Sequence, residues 1–264
     1  MSSSEPGPRS PRKARPHAPA VIRTAAATPG RWTDVQALMG GHGDRGCWCQ
    51  YWRQSAGAYS RGDHPSGREM LRAQRAEQPP PGILAYVDGE VAGWVGFGTR
   101  PALERLVRSR TIPAVDEQPV WSVVCFLIRV GYRRRGVAGA LLDAVIDLAR
   151  QSGAPGVEAY PVDPEGSRVD VNFGYVGITP MFERRGFRRI LETSARSDRR
   201  SRWLMRLDLS PAQSGPAGDQ QGTESSTSSS SRTGRSSGSS RRSTWRPRAR
   251  TWPRPPRSRC RHSR

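Results

Sequence analysis

The stretch with the clearest chemical content reads Ile128-Arg129-Val130-Gly131-Tyr132-Arg133-Arg134-Arg135-Gly136-Val137-Ala138. An apolar run ends in a basic turn, and the turn passes directly into a segment that opens with small residues. If that segment is a helix, its first amides have no partner within it, and the helix dipole is positive there. A diphosphate can accept those hydrogen bonds. Gly136 and Ala138 keep bulk away from the backbone, and Arg133, Arg134 and Arg135 add charge. The competing reading is a solvated helix start in an arginine-rich chain, since Lys13 is the only lysine present. Position, not the number of arginines, must therefore carry the phosphate argument.

A second unusual stretch is Gly46-Cys47-Trp48-Cys49-Gln50-Tyr51-Trp52. Trp48, Tyr51 and Trp52 are large, rigid and close in sequence. They suit one wall of a substrate pocket, or else packing beneath a long loop. Cys47 and Cys49, with His42 and His64, are zinc-type ligands. Yet Cys-x-Cys is not the usual spacing and no Cys-x-x-Cys pair follows, so no metal site is expected. Cys125, in the middle of an apolar run, reads as a small buried hydrophobe.

These residues need a scaffold, and the pattern between residues 21 and 209 supplies one. Ala20–Arg23 reads as a short strand, and Trp32–Met39 as a helix stopped by Gly40-Gly41. Ser66-Gly67-Arg68-Glu69 is a capping box, which predicts a helix from Gly67 to Glu77 before the triple proline Pro79-Pro80-Pro81. Ile83–Val87 and Val91–Phe97 flank Asp88-Gly89, a hairpin signal. Val120–Val130 reads as a long apolar strand. Val137, Leu141, Val145 and Leu148 share one face of a helix over Val137–Arg150, closed by Gly153. Val157–Val162 is a further strand. Thr179-Pro180 predicts a short helix with Thr179 as its cap, and Gly186 ends it. Phe187–Glu192 and Arg202–Leu209 complete the set. The alternation implies a mixed sheet covered by helices.

The ends read differently. Hydrophobic residues make up 34% of the 264, low enough that part of the chain is expected to stay outside any core. Residues 1–20 are rich in Ser, Pro and Arg. Residues 210–264 lack Leu, Ile, Val, Met and Phe, and hold half of the +20 net charge. Both are expected to be disordered, because they have too little apolar surface to offset the entropy of ordering. The tail's arginines with Trp245 and Trp252 suit nucleic-acid contact, but a solvated linker is the preferred reading. No 18-residue apolar run and no secretory leader is legible, so no membrane span and a cytoplasmic location are expected.

The strand, basic turn and helix together resemble the acetyl-CoA motif of the GNAT N-acetyltransferase superfamily. Its turn reads Gln/Arg-x-x-Gly-x-Gly/Ala, and Arg133, Gly136 and Ala138 match. Met181-Phe182-Glu183-Arg184-Arg185-Gly186-Phe187 is similar to the family's second motif, a short helix ending in Gly-Phe. The resemblance covers Val21 to Leu209. The Cys-Trp-Cys-x-Tyr-Trp segment resembles one in an uncharacterised bacterial subgroup of the family.

The resemblance implies an α/β (α+β) fold: a mixed, mostly antiparallel sheet with two splayed central parallel strands, and helices on both faces. It implies acetyl-CoA as co-substrate, without a metal. The pantetheine arm would run beside Phe126, Ile128 and Val130. Arg133, Arg134, Arg135, Gly136, Val137, Ala138 and Gly139 would hold the pyrophosphate, and a β-bulge in the first central strand would leave an amide free. The implied reaction is direct attack of a primary amine, on a small molecule or a peptide, within a ternary complex. A carboxylate would serve as base, with Glu117 and Glu158 the candidates. The family's usual tyrosine acid is replaced here by Phe182, which leaves Tyr175 and Tyr160 as substitutes. Trp48, Tyr51 and Trp52 fall where the family builds acceptor specificity. The alternatives are an acyl-CoA-binding regulatory module and a basic nucleic-acid-associated protein. Oligomeric state stays open.

Overall fold

The computed structural model describes residues 21–41, 46–61, 65–170 and 174–209. The expectations for residues 1–20 and 210–264, and for His42 and His64, lie outside the described residues.

Strand β1 (Ile22–Ala26) leads into helix α1 (Trp32–Met39). Helix α1 has the predicted bounds because Val35, Leu38 and Met39 turn one apolar stripe to the core. Helix α2 (Ala56–Arg61) buries no side chain, so no apolar periodicity announces it in the sequence. Helix α3 (Gly67–Gln74) starts at the predicted capping box. The Ser66 hydroxyl accepts from the Glu69 amide at 3.3 Å, and the Glu69 carboxylate accepts from the Ser66 amide at 2.9 Å. That reciprocal bond holds the Glu69 carboxyl below its ordinary range. Helix α3 ends at Gln74, short of the expected Glu77. Ser66→Ala is expected to cost about 1 kcal/mol, a fall of about 2–4 °C in Tm for a domain of this size. An unchanged melting curve would remove the cap's role.

Strands β2 (Gly82–Val87) and β3 (Glu90–Thr99) form the expected hairpin, with both Asp88 and Gly89 at positive φ. A one-turn helix, α4 (Glu104–Val107), follows and was not foreseen. Strand β4 (Trp121–Ile128) and helix α5 (Val137–Gln151) come next. Strand β5 (Gly156–Ala159) stops short of the expected Val162. Pro161 has no amide to continue the ladder, and Val162 returns only as an isolated bridge.

Helix α6 (Thr179–Glu183) corrects a second reading. Ile178, not Thr179, is its cap, and the Thr179 hydroxyl instead accepts from Arg189 at 3.2 Å. Strands β6 (Arg188–Ser197) and β7 (Arg200–Asp208) are longer than expected. They meet at Asp198-Arg199, both at positive φ without glycine, so the turn carries no obvious sequence signal.

The sheet runs β1-β2-β3-β4-β5-β7-β6, antiparallel throughout except for the parallel β4/β5 pair. This is the mixed sheet with two central parallel strands that the resemblance implies. Helix α5 packs across β1 to β5 on one face. There Leu141, Leu142 and Val145 join Ile83, Val95 and Phe97 in one core cluster. On the other face, Val35 and Leu38 of α1 and Leu71 of α3 pack with Leu84 and Trp94. Gly93 lets α5 come close, since a β-carbon there would lie 2.9 Å from a Val137 methyl. Among the described residues, no helix is long and apolar enough to cross a membrane.

Candidate active site

The parallel strands β4 and β5 pair only at Trp121↔Val157, Ser122↔Glu158 and Val123↔Ala159. Beyond that point they separate, and among the described residues the rest of β4 keeps hydrogen bonds on its β3 side alone. The β3 register jumps from Gly96↔Cys125 to Phe97↔Val123, which makes Val124 the extra residue of a β-bulge. The bulge sits where the strands part.

A cavity of about 750 Å³ opens there. Phe126, Ile128, Arg133 and Ala138 line one side, and Tyr175 and Met181 the other. Leu127, 38% exposed, marks the free edge of β4. Beyond Ile128 the chain turns through Gly131 and Arg134, both at positive φ, to Gly136 at φ 84°, which caps α5. The first helical hydrogen bond runs from the Ala140 amide to the Gly136 carbonyl. The amides of Val137, Ala138 and Gly139 therefore precede the ladder and meet no backbone acceptor among the described residues. A β-carbon on Gly136 would meet only an Ile22 methyl, at 3.7 Å. Conformation, not crowding, is what demands glycine there.

The basic turn divides its charges. Arg133 lines the cavity, with its Nε donating to the Ile128 carbonyl at 3.2 Å. Arg135 turns away, pairing with Asp88 at 3.6 Å and lying over the Tyr132 ring. Arg134 and Val130 are exposed and not on the cavity wall. The Val137 side chain is buried in the core, so only its backbone faces the turn. Arg185 lies against Gly139 and pairs with Asp143.

Phe182, which stands where the resemblance puts the usual tyrosine acid, is fully buried and packs against Phe126 and Phe187. Tyr175 is on the cavity wall, in a short turn at Gly174–Val176. Burial pushes its hydroxyl above the ordinary tyrosine range. Tyr160 is fully buried elsewhere, donating to Glu158 at 2.8 Å, and burial pushes its pKa far up.

Neither candidate base reaches the cavity wall. Glu117 is exposed in the approach to β4. Glu158 is 1% exposed and saturated with donors: Arg100 at 3.2 Å, Arg206 at 2.5 and 3.1 Å, and Tyr160. Arg206 also grips Asp116, holding that carboxyl low. Glu158 sits at the paired end of β4/β5, opposite Ser122. Its geometry is that of a structural ion cluster. Asp170, which sequence reasoning passed over, is the only carboxylate among the described residues that line the cavity.

The aromatic segment also divides. Trp48 and Cys49 both adopt positive φ. Trp48 is buried and stacks on Trp32 at 5.8 Å, which makes it core and not pocket wall. The Cys49 sulfur accepts from Trp94 Nε1 at 3.4 Å and fills the space over Gly96, where a β-carbon would lie 2.2 Å away. Tyr51 and Trp52, in contrast, line a second cavity of about 490 Å³ together with Arg105, Ile112, Arg196 and Arg202. Tyr175, which lines the first cavity, also packs against the buried cluster that contains Trp52. Among the described residues no group of His, Cys, Asp and Glu is placed to hold a metal ion.

Residues 48–168 match the model of the acetyltransferase (GNAT) family. Similar solved structures include Ard1 from Thermoplasma volcanium, at 16% identity, covering 73% of this chain and 99% of that one, with a TM-score of 0.40. An acetyltransferase of the GNAT family from Streptococcus pneumoniae is 16% identical over 72% of this chain and 100% of that one, with a TM-score of 0.43. The ribosomal-protein-S18-alanine N-acetyltransferase from Escherichia coli is 12% identical over 74% and 98%, with a TM-score of 0.42. No curated protein matches.

Proposed function

We propose that this chain, whose residues 48–168 match the model of the acetyltransferase (GNAT) family, transfers an acetyl group from acetyl-CoA to a primary amine of a small-molecule or peptide acceptor, by direct attack in a ternary complex. The observation that carries this reading is the continuous path from the parted edge of β4 to the open amides at the head of α5. The path fits the thioester: an unpaired strand edge for the pantetheine amides, then unpartnered N–H groups and Arg133 for the diphosphate. Arg134 adds charge from the rim, and Val130 and Arg135 stand further out. Acetyl-CoA supplies the activated acyl carbon.

The chain's own groups orient and move protons. An alkylammonium, with a pKa of about 10.4 in water, must lose a proton before it attacks. Asp170 takes it, directly or through water, in place of Glu117 and Glu158. The new C–N bond forms as the C–S bond breaks, and Tyr175 gives its proton to the departing sulfur. The amine's second proton then restores the tyrosine through solvent. Because burial raises the Tyr175 pKa, its hydroxyl keeps its proton throughout the neutral range and loses it only above the ordinary tyrosine value.

Tyr175→Phe is therefore expected to lower kcat about 100-fold and to leave the acetyl-CoA Kd unchanged, measured by thiol release and by calorimetry. A variant with unaltered kcat would remove Tyr175 from the chemistry. The burial of Phe182 in the usual tyrosine position favours a second reading, an acyl-CoA-binding regulatory module. Saturable acetyl-CoA binding with no thiol release across a broad amine panel would select that reading instead.

A further inference from the structure

The second cavity has an electrostatic imbalance that the fold does not resolve. Its described wall holds Arg105, Arg108, Arg196 and Arg202, and no Asp or Glu. Arg108 and Arg196 pair with Glu104 and Glu192, each four residues earlier in the chain. Arg105 lies over the Tyr51 ring at 4.0 Å and donates to the Tyr51 carbonyl. Arg202 is different. It is only 5% exposed, and its Nε donates to the Tyr160 carbonyl at 2.9 Å. Its Nη2 is buried without a hydrogen-bond partner among the described residues. The Nε1 of Trp52, whose ring lies 5.5 Å from the Arg202 guanidinium, is buried and unpartnered as well.

Among the described residues, this buried guanidinium faces a neutral carbonyl and an aromatic ring and meets no anion that would compensate its desolvation. Packing alone explains neither orphan donor, since buried N–H groups are almost always met. The two donors lie on one wall, and the planar fork of arginine suits an oxyanion. Tyr175 lines the cavity at the parted strands and packs against the buried cluster that contains Trp52. A ligand with its anionic end at Arg202 can therefore extend toward the proposed proton donor.

We propose that this cavity binds an oxyanion of the acceptor, so that the amine acetylated here belongs to a molecule that also carries a carboxylate or a phosphate. The proposal rests on the acetyltransferase reading and deepens it. The guanidinium groups of Arg105 and Arg202, which no carboxylate meets among the described residues, repel a polycation, so polyamines and aminoglycosides are not expected as preferred acceptors. The shared chemistry is an oxyanion meeting Arg202 Nη2 and Trp52 Nε1. The two sources, an amino-acid carboxylate and a phosphorylated amine, differ in charge and size.

The test uses the full chain and matched pairs of amines: phenylalanine against phenethylamine, phosphoethanolamine against ethanolamine, with spermidine as the polycation. Thiol release is expected to give kcat/KM at least 30-fold higher for the anionic member of one pair, and the pair that responds names the oxyanion. Arg202→Gln is expected to bring that ratio near one while calorimetry shows acetyl-CoA affinity unaltered. Trp52→Phe, which keeps an aromatic ring and loses one donor, is expected to reduce the ratio partway, and it carries the test if Arg202→Gln fails to fold. A second arm needs no turnover. N-acetylphenylalanine and inorganic phosphate are titrated against N-acetylphenylalaninamide, and one of the anions is expected to bind at least tenfold more tightly than the amide. Equal rates within both pairs, preference for spermidine, or anion binding no tighter than amide binding would overturn the proposal. Loss of acetyl-CoA binding and turnover with selective anion binding intact would instead overturn the acetyltransferase reading alone.

Discussion

Replacing Gly136 with glutamate is expected to weaken acetyl-CoA binding at least about 100-fold, a loss of about 2.7 kcal/mol. Two effects act together. Gly136 holds φ at 84°, where a side chain costs about 1–3 kcal/mol unless the turn deforms. The new carboxylate also stands beside the open amides of Val137, Ala138 and Gly139, and competes for the positive end of the helix. Gly136→Asn separates the two, because asparagine tolerates the left-handed region and brings no charge. It is expected to bind within a few-fold of the native chain. Calorimetry on both variants, with thermal unfolding as a control, decides the matter. Native affinity in Gly136→Glu would show that the diphosphate does not rest at the head of α5.

Glu158→Leu is expected to cost about 3–5 kcal/mol, the range for removing one partner of a buried ion cluster. It strands Arg206 and Arg100, whose side chains are 8% and 11% exposed: Arg206 keeps Asp116, and Arg100 keeps the neutral Tyr160 hydroxyl and Ile112 carbonyl. For a domain of this size the loss corresponds to a Tm lower by roughly 10 °C. Glu158→Gln keeps the shape and some hydrogen bonds, and is expected to lose less. The pair distinguishes structure from catalysis. A base removed by Glu158→Gln would cut kcat and leave melting intact. The geometry calls for the opposite pattern, with lower melting and kcat nearly native at temperatures where the protein stays folded.

What the sequence makes legible follows the range of the forces involved. The Asp88-Gly89 hairpin, the Ser66 capping box and the apolar stripe of α5 are local, and each is visible in a few consecutive residues. Helices α2 and α4 are short, and α2 buries nothing, so their apolar spacing gives no signal. Glu158 could be placed on a strand from its neighbours, but its partners lie 58 and 48 residues away. The same holds for Trp48. Its aromatic character suits a pocket wall, and only the stacking on Trp32 assigns it to the core. Arg202 was hidden by abundance, because one buried arginine cannot be told from a surface one in a chain so rich in them.

The brevity of the β4/β5 junction puts the shape of the cleft under unusual control. Three register pairs join the strands, and on one face of that junction Ser122, Tyr160, Glu158 and two guanidinium groups form a hydrogen-bonded cluster, while Trp121, Val123, Val157 and Ala159 join the apolar core. Apolar packing there would resist compression but tolerate rotation. A cluster of directed hydrogen bonds resists both, since donor and acceptor must stay aligned. One face of the cleft's keystone is thus ionic, held by charges that lie off the cavity wall.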